Sequence, residues 1–256
     1  MNIAVITGAS SGIGKEFALL LDRERLDEIW VIARRRDRLE ALKNGLKTPV
    51  RVFALDITDS KQLETYRNTL YELQPKIRFL VCAAGVGIFG NYAEVDNKDV
   101  ERMVDLNAKA TVWVTNLSIP YMKYESHIIE IASSAGFAPL SGMSVYAASK
   151  AFLQSYSRAL RLELAQQGIH VTAVCPGWVR TEFFLHTNLQ NAAHAPKNYH
   201  PIYMPKQIAS KALFDAKMGK ALSIYGVNMK IYYALSRILP QGAMAALMQF
   251  YMNLPL

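Results

Sequence analysis

Ile3-Ala4-Val5-Ile6-Thr7-Gly8-Ala9-Ser10-Ser11-Gly12-Ile13-Gly14 is the stretch on which the reading of the whole chain turns. Its first five residues are apolar or β-branched without interruption, as a strand covered on both faces requires. Glycines follow at 8, 12 and 14, and residues 13–21 continue as an amphipathic helix. A diphosphate needs close access to the backbone and free amides at a helix N-terminus. Glycines clear the side chains from that path, and the helix dipole favours the negative charge. The spacing is G-x-x-x-G-x-G rather than the commoner G-x-G-x-x-G. A tight structural turn would also use glycine. The position between a first strand and a first helix favours a dinucleotide.

The same alternation runs outward from this turn. Residues 29–33, 50–55, 79–83, 128–132 and 169–174 read as further strands, and 222–225 as a last one. Residues 37–43 start a second helix, Ser60 is positioned to cap a third, and 147–166 form a long helix stopped by Gly168. Strand and helix in alternation predict a parallel sheet with right-handed crossovers. No repeat or linker divides the chain, so residues 1–256 are expected to form one domain. Ligands should then lie beyond the C-terminal ends of the strands.

Composition narrows the class. Of 256 residues 51% are hydrophobic and 20% charged, which suits a folded protein rather than a disordered one. Cys82 and Cys175 each sit in an apolar run and read as buried reduced thiols. That usage, and a chain that opens directly on a strand without a basic leader, point to the cytoplasm. No apolar run reaches the length of a bilayer span. The net charge of +8 would permit nucleic-acid binding, but nothing beyond charge supports it. No metal site is expected.

The basic cluster Arg34-Arg35-Arg36 has a sharper meaning from its place. NAD-binding proteins carry a carboxylate at the end of the second strand, about 20 residues past the glycines, for the ribose hydroxyls. Here guanidinium groups stand there instead, and their planar forks suit a phosphate. Arg34, with help from Arg35, is the expected partner of the 2′-phosphate of NADP(H). A solvated helix start is the plainer alternative.

Tyr146-Ala147-Ala148-Ser149-Lys150 carries the chemistry. Tyr146 and Lys150, four apart, share a helix face. A tyrosine with a pKa near 10 is a poor acid or base at neutral pH. A neighbouring ammonium is expected to bring it toward the working range. The segment Ile131-Ala132-Ser133-Ser134-Ala135-Gly136, at a strand end, offers a serine for a substrate oxygen.

With these motifs in order, the sequence resembles the short-chain dehydrogenase/reductase family from Asn2 to about Thr181. The matching motifs are residues 7–14, Asp56-Ile57, Ala84-Gly85, Asn107, Ser133, Tyr146-x-x-x-Lys150 and Pro176-Gly177-x-x-x-Thr181. The resemblance implies a Rossmann-like, doubly wound parallel sheet flanked by helices. It implies Tyr146 as proton donor or acceptor and Ser133 as the group that orients the substrate oxygen. Lys150 would hold the nicotinamide ribose and lower the tyrosine pKa, and Asn107 would help hold a proton-relaying water. Cofactor contacts would come from Gly8, Ser10, Ser11, Gly12, Ile13, Gly14, Asp56, Ile57, Ala84, Gly85, Asn107, Tyr146, Lys150, Pro176, Gly177, Val179 and Thr181, beside Arg34 and Arg35. Ser133 is preferred to Ser134 because Ala135-Gly136 matches the family's Ser-x-Ala-Gly. One departure stands out: Cys82-Ala83-Ala84-Gly85 replaces Asn-Asn-Ala-Gly, so the side-chain bonds those asparagines give the sheet are expected to be missing.

Val86, Phe89, Phe137, Leu140, Met143, Phe183, Phe184 and Leu185 are expected to wall an apolar substrate pocket. Residues 182–205, with His186, His194 and His200, read as a substrate loop or lid. A bulky ketone, steroid-like or fatty-chain, would suit such a wall better than a sugar. Residues 229–256 form an apolar extension, read as core or oligomer packing, with peripheral membrane contact as the alternative. Phe152, Leu153 and Tyr156 exceed what one helix face needs, and the resemblance implies a homodimer or homotetramer. The functional expectation is an NADP(H)-dependent interconversion of a small-molecule ketone or aldehyde with an alcohol. A regulator that keeps the fold without turnover is the rival.

Overall fold

The computed structural model describes residues 1–183, 187, 197 and 200–252. The opening run is strand β1 (Asn2–Thr7), and helix α1 (Gly12–Leu21) leaves the glycine turn. The alternation continues through β2 (Glu28–Ala33), α2 (Arg36–Asn44), β3 (Val50–Ala54), α3 (Ser60–Leu73) and β4 (Lys76–Cys82). Beyond it come α4 (Asn97–Val104), α5 (Thr111–Ser118), β5 (Met122–Ile131), α6 (Ser144–Glu163) and β6 (His170–Val174). A short pair, β7 (Trp178–Val179) and β8 (Ile202–Tyr203), precedes α7 (Pro205–Lys217), β9 (Leu222–Ser223), α8 (Val227–Ile238) and α9 (Gln241–Tyr251).

The main sheet has strand order β3-β2-β1-β4-β5-β6-β9, and every pairing is parallel. The order reverses between β1 and β4, where a crevice opens at the strand C-termini. Side chains alternate across the sheet with period two. Ile29 and Val31 pack with Phe17 and Leu39 from α1 and α2, while Trp30 and Ile32 pack with Tyr66 and Leu70 from α3. Both faces are thus covered, which is why the strands read as unbroken apolar runs.

Three boundaries differ from expectation. Asp59, not Ser60, caps α3, because its carboxylate accepts from the amides of Lys61 and Gln62. Helix α6 begins at Ser144, so Tyr146 lies in its first turn. It ends at Glu163, and a 3-10 turn at Ala165–Gln167 carries the chain to Gly168 at φ 64°. Strand β5 starts six residues earlier than its apolar core suggests, since Lys123, Tyr124 and Glu125 interrupt the hydrophobic pattern without breaking the strand. Among the described residues no helix is long and apolar enough to cross a membrane.

Candidate active site

The glycine turn is built by close approach. Gly8 and Gly12 take left-handed conformations, φ 68° and 55°. A Cβ on Gly14 would lie 2.5 Å from the Gly8 carbonyl oxygen, so the start of α1 folds back onto its own turn. The Gly8 amide donates to the Ile32 carbonyl at 2.9 Å. The sheet bonds expected to be missing at Cys82-Ala83 have a substitute. The Thr7 hydroxyl oxygen accepts from the amides of Ala83 (3.1 Å) and Ala84 (3.2 Å), tying the ends of β1 and β4 together.

The arginines beyond β2 divide their work. The Arg35 guanidinium donates to the hydroxyls of Ser10 (3.0 Å) and Ser11 (3.1 Å) and to the Glu182 carboxylate (2.8 Å). Arg38 holds the same carboxylate, and these two guanidinium groups keep Glu182 below the usual carboxylate range. Arg34 is 63% exposed and, among the described residues, meets only Asp56, at 3.9 Å. Asp56 is fixed by the Thr58 amide (2.9 Å) and hydroxyl (2.7 Å). Arg35, expected as the helper, is therefore the more firmly seated of the two.

At the other end of the crevice stand Tyr146 and Ser133, both less than a tenth exposed and both lining the same cavity. The Ser133 carbonyl is held by Gln154 at 2.7 Å and its Oγ accepts from the Ala135 amide at 3.1 Å. Lys150 Nζ donates to the Ile131 carbonyl at 2.8 Å and sits 5.9 Å from the Tyr146 ring centre. Phe89, Phe183 and Trp178 surround the tyrosine. Phe89 meets its ring edge-on at 5.8 Å, Phe183 lies at 5.6 Å, and Trp178 backs Phe89 at 6.1 Å.

The electrostatics overturn one expectation. Burial pushes the Tyr146 phenol up to about 12, with the Ser133 side chain acting in the other direction. The ammonium was expected to lower it. Burial also pushes Lys150 down to about 8, and the charge of Glu130 and that of Cys175 oppose this only in part. A desolvated lysine bonded to a backbone carbonyl cannot offset the desolvation of a fully buried phenol.

Asn107 sits in a π-helical turn, Asp105–Ala110, between α4 and α5. Its Oδ1 accepts from the Val86 amide at 2.9 Å. Its Nδ2 donates to the Val86 carbonyl (2.8 Å) and the Ser149 hydroxyl (3.0 Å). A Cβ on Gly85 would lie 3.2 Å from Asn107 Oδ1 and 3.3 Å from Lys150 Nζ, so all three meet at one point.

A cavity of about 450 Å³ joins these parts. Every residue expected to touch the cofactor lines it except Asn107, which is fully buried behind Gly85 and Val86. Of the expected substrate wall, Val86, Phe89, Leu140, Met143 and Phe183 line it too. Phe137 does not: it turns away to pack on Tyr232 and Tyr233 of α8. Phe184, Leu185, His186 and His194 lie outside the described residues. Met229 and Tyr232 from α8, and Met248 and Met252 at α9, close the far wall and were not among the expected wall residues.

Glu130 was also missed. It is fully buried on β5, its Oε1 takes the Thr115 hydroxyl at 2.8 Å, and its Oε2 has no partner among the described residues. Burial raises it to about 7, against the pull of Thr115, Cys82 and Lys150. A glutamate inside Ile128-Ile129-Glu130-Ile131 was the available signal.

The sequence pattern of the family described as short chain dehydrogenase matches residues 2–192. The chain belongs to the short-chain dehydrogenase family. Similarity to individual members agrees. A glycine betaine reductase of Emericella nidulans is 36% identical over 222 residues, 83% of this chain, although this short-chain dehydrogenase spans only 17% of that protein's length. The solved short-chain dehydrogenase from Sphingobium yanoikuyae in complex with NADPH superposes with a TM-score of 0.77 at 28% identity, covering 97% of this chain and 96% of the other. A bulky-bulky ketone specific alcohol dehydrogenase from Comamonas testosteroni gives 0.73 at 27% identity, with 95% and 94% covered. Like them, this short-chain dehydrogenase is an oxidoreductase with a Rossmann-like sheet.

Proposed function

We propose that the chain is an NADP(H)-dependent oxidoreductase that interconverts a ketone or aldehyde with an alcohol on a largely apolar substrate. The observation that carries this reading is one cavity lined by a glycine turn and two arginines at one end and by Tyr146, Ser133 and Lys150 at the other.

The residues fit the dinucleotide. Gly8, Ser10, Ser11, Gly12 and Ile13 line the cavity where α1 begins, and the amides opening that helix can meet a diphosphate. Arg35 and Arg34 would hold the 2′-phosphate, Asp56 and Ile57 the adenine side, and Lys150 the nicotinamide ribose. Val179 and Thr181 would hold the carboxamide end. The bound cofactor supplies or takes the hydride.

The chain's own groups do the rest. Ser133 donates to the substrate oxygen and orients it. With its phenol near 12, Tyr146 stays protonated at neutral pH and gives its proton to the forming alkoxide, which favours reduction. Lys150, charged below about 8, holds the ribose and steadies the phenolate left behind. Phe89, Phe183 and Trp178 keep water from the tyrosine. The apolar wall, extended by Met229, Met248 and Met252, suits a bulky ketone, as the name of the Comamonas enzyme says of that protein.

A panel of ketones with NADPH, followed at the nicotinamide absorbance, tests the reading. Oxidation of NADPH by bulky apolar ketones supports it. Tight NADPH binding without turnover on any carbonyl would leave the regulatory alternative.

A further inference from the structure

The opposite edge of the sheet, at the strand N-termini, carries a second recess of about 570 Å³. Three rings cross its floor. Phe79 of β4, His127 of β5 and His170 of β6 are register partners, and they stack at 5.2 Å and 5.4 Å with interplanar angles of 18° and 21°. Around them stand Arg78 from β4, Arg23, Glu24 and Arg25 from the turn after α1, Glu125 from β5 and Lys217 from α7.

The charges do not cancel. Arg23, Arg25, Arg78 and Lys217 face only Glu24 and Glu125, and Glu24 is already paired with Lys217 at 2.9 Å. Two buried nitrogens also lack partners among the described residues: Arg78 Nε and His127 Nδ1. His127 is 7% exposed, and the Ala216 backbone favours its charged form. Unpaired buried donors beside surplus positive charge are costly in a folded chain without a compensating group.

We propose that this recess binds a small, multiply charged anion of the phosphate type. Three guanidinium groups are the residues best suited to fork onto phosphoryl oxygens. The ring stack forms a flat floor, and the lysine closes one side. The site lies at the strand ends remote from the glycine turn, so it does not depend on the cofactor reading.

His127 reports on occupancy. Burial holds its pKa down to about 4, with His170, Arg78 and Lys217 adding to the effect. An anion among these cations offsets their repulsion and favours the imidazolium, so its pKa rises. Binding therefore takes up a proton and tightens as pH falls.

The test uses the full chain, labelled at histidine Cε1, with NADPH present at saturation to occupy the glycine turn. Inorganic pyrophosphate is titrated at constant ionic strength with chloride as the counter-titrant, and the ring signals are followed by NMR. The expected result is a rise of about one unit or more in the His127 titration midpoint, with His170 shifting at the same pyrophosphate concentration. Arg78→Gln should abolish the rise. Arg23→Gln with Arg25→Gln, both exposed and safe for folding, should weaken pyrophosphate by about tenfold or more. Unmoved His127 and His170 signals at millimolar pyrophosphate would overturn the proposal. So would equal shifts from chloride, or an unchanged response in the Arg23/Arg25 variant.

Discussion

Tyr146, Lys150 and Glu130 are three ionisable side chains buried within one region of the fold, and burial moves each toward its neutral form. Tyr146→Phe keeps the ring packing against Phe89 and Phe183 and removes only the proton. Turnover should fall by about 10²–10⁴-fold with NADPH affinity retained, measured by steady-state kinetics beside fluorescence titration. Near-normal turnover would end the mechanism. Glu130 has a stability consequence. Its folded pKa of about 7 lies above its ordinary value of 4.5, so the folded state holds the proton more tightly. That contribution is full below about pH 4.5 and is lost as pH rises through 7. Glu130→Gln should therefore flatten the fall in Tm between pH 5 and 8, on the order of 3 kcal/mol across the window; parallel curves for the two proteins would refute this. In the cofactor arm, Arg34→Asp should weaken NADP(H) and relatively favour NAD(H). Arg35→Ala should do more damage, because Arg35 also ties Ser10 and Ser11 together. Matched kinetics with both cofactors decide between them, and a wild type that prefers NAD(H) would contradict the reading of both arginines. Tyr146 and Lys150 were legible because their spacing is local, and Ser133 because Ala135-Gly136 follows it in the family's pattern. Glu130 was not, since its partners Thr115 and Cys82 come from different elements.

Helix α6 shows what an element adds to its residues. Read alone, Phe152, Leu153 and Tyr156 form a surplus apolar stripe. In the fold Leu153 is core, at 1% exposed, while Phe152 is 47% exposed and stacks flat on Tyr156 at 6.2 Å. The surplus is thus mainly one ring rather than three side chains. If copies of the chain associate along α6, as proposed from the family resemblance, Phe152→Glu should shift the mass measured by light scattering toward the monomer. A wild-type monomer at micromolar concentration would contradict the association itself. The strand and helix types were readable from periodicity, because parallel strands demand continuous apolar runs and helices a 3.6-residue stripe. The π-helical turn that carries Asn107 was not. Asp105-Leu106-Asn107-Ala108-Lys109-Ala110 has ordinary helix composition, and only its packing against Val86 and Ser149 distinguishes it.

On the scale of the whole molecule, the two halves of the cavity come from distant parts of the chain. The phosphate and proton ends are built by residues 8–181, whereas the far wall belongs to α8 and α9. Local sequence shows that residues 229–252 are apolar, but not which surface they cover. Peripheral membrane contact was the rival reading: Met244 and Met252, 0% and 2% exposed, pack inward, while Ile231, Ile238, Leu247 and Phe250 of the same helices stand exposed. A chain ending at Gly226 should keep the sheet and bind NADPH. It should accept bulky ketones with KM raised at least about tenfold, since burying even one large apolar side chain is worth about 1.5–3 kcal/mol. Circular dichroism and NADPH titration separate this from unfolding, and an unchanged KM in the shortened chain would remove α8 and α9 from the substrate site. Their position also sets an order in time. The ribosome delivers these two helices after every other described element, the glycine turn included. A nascent chain can therefore assemble its sheet, and the crevice at its switch point, before the apolar wall exists. During that interval Phe89, Leu140, Met143 and Phe183 of the pocket lack their covering wall, and the growing chain is most open to chaperones and to aggregation.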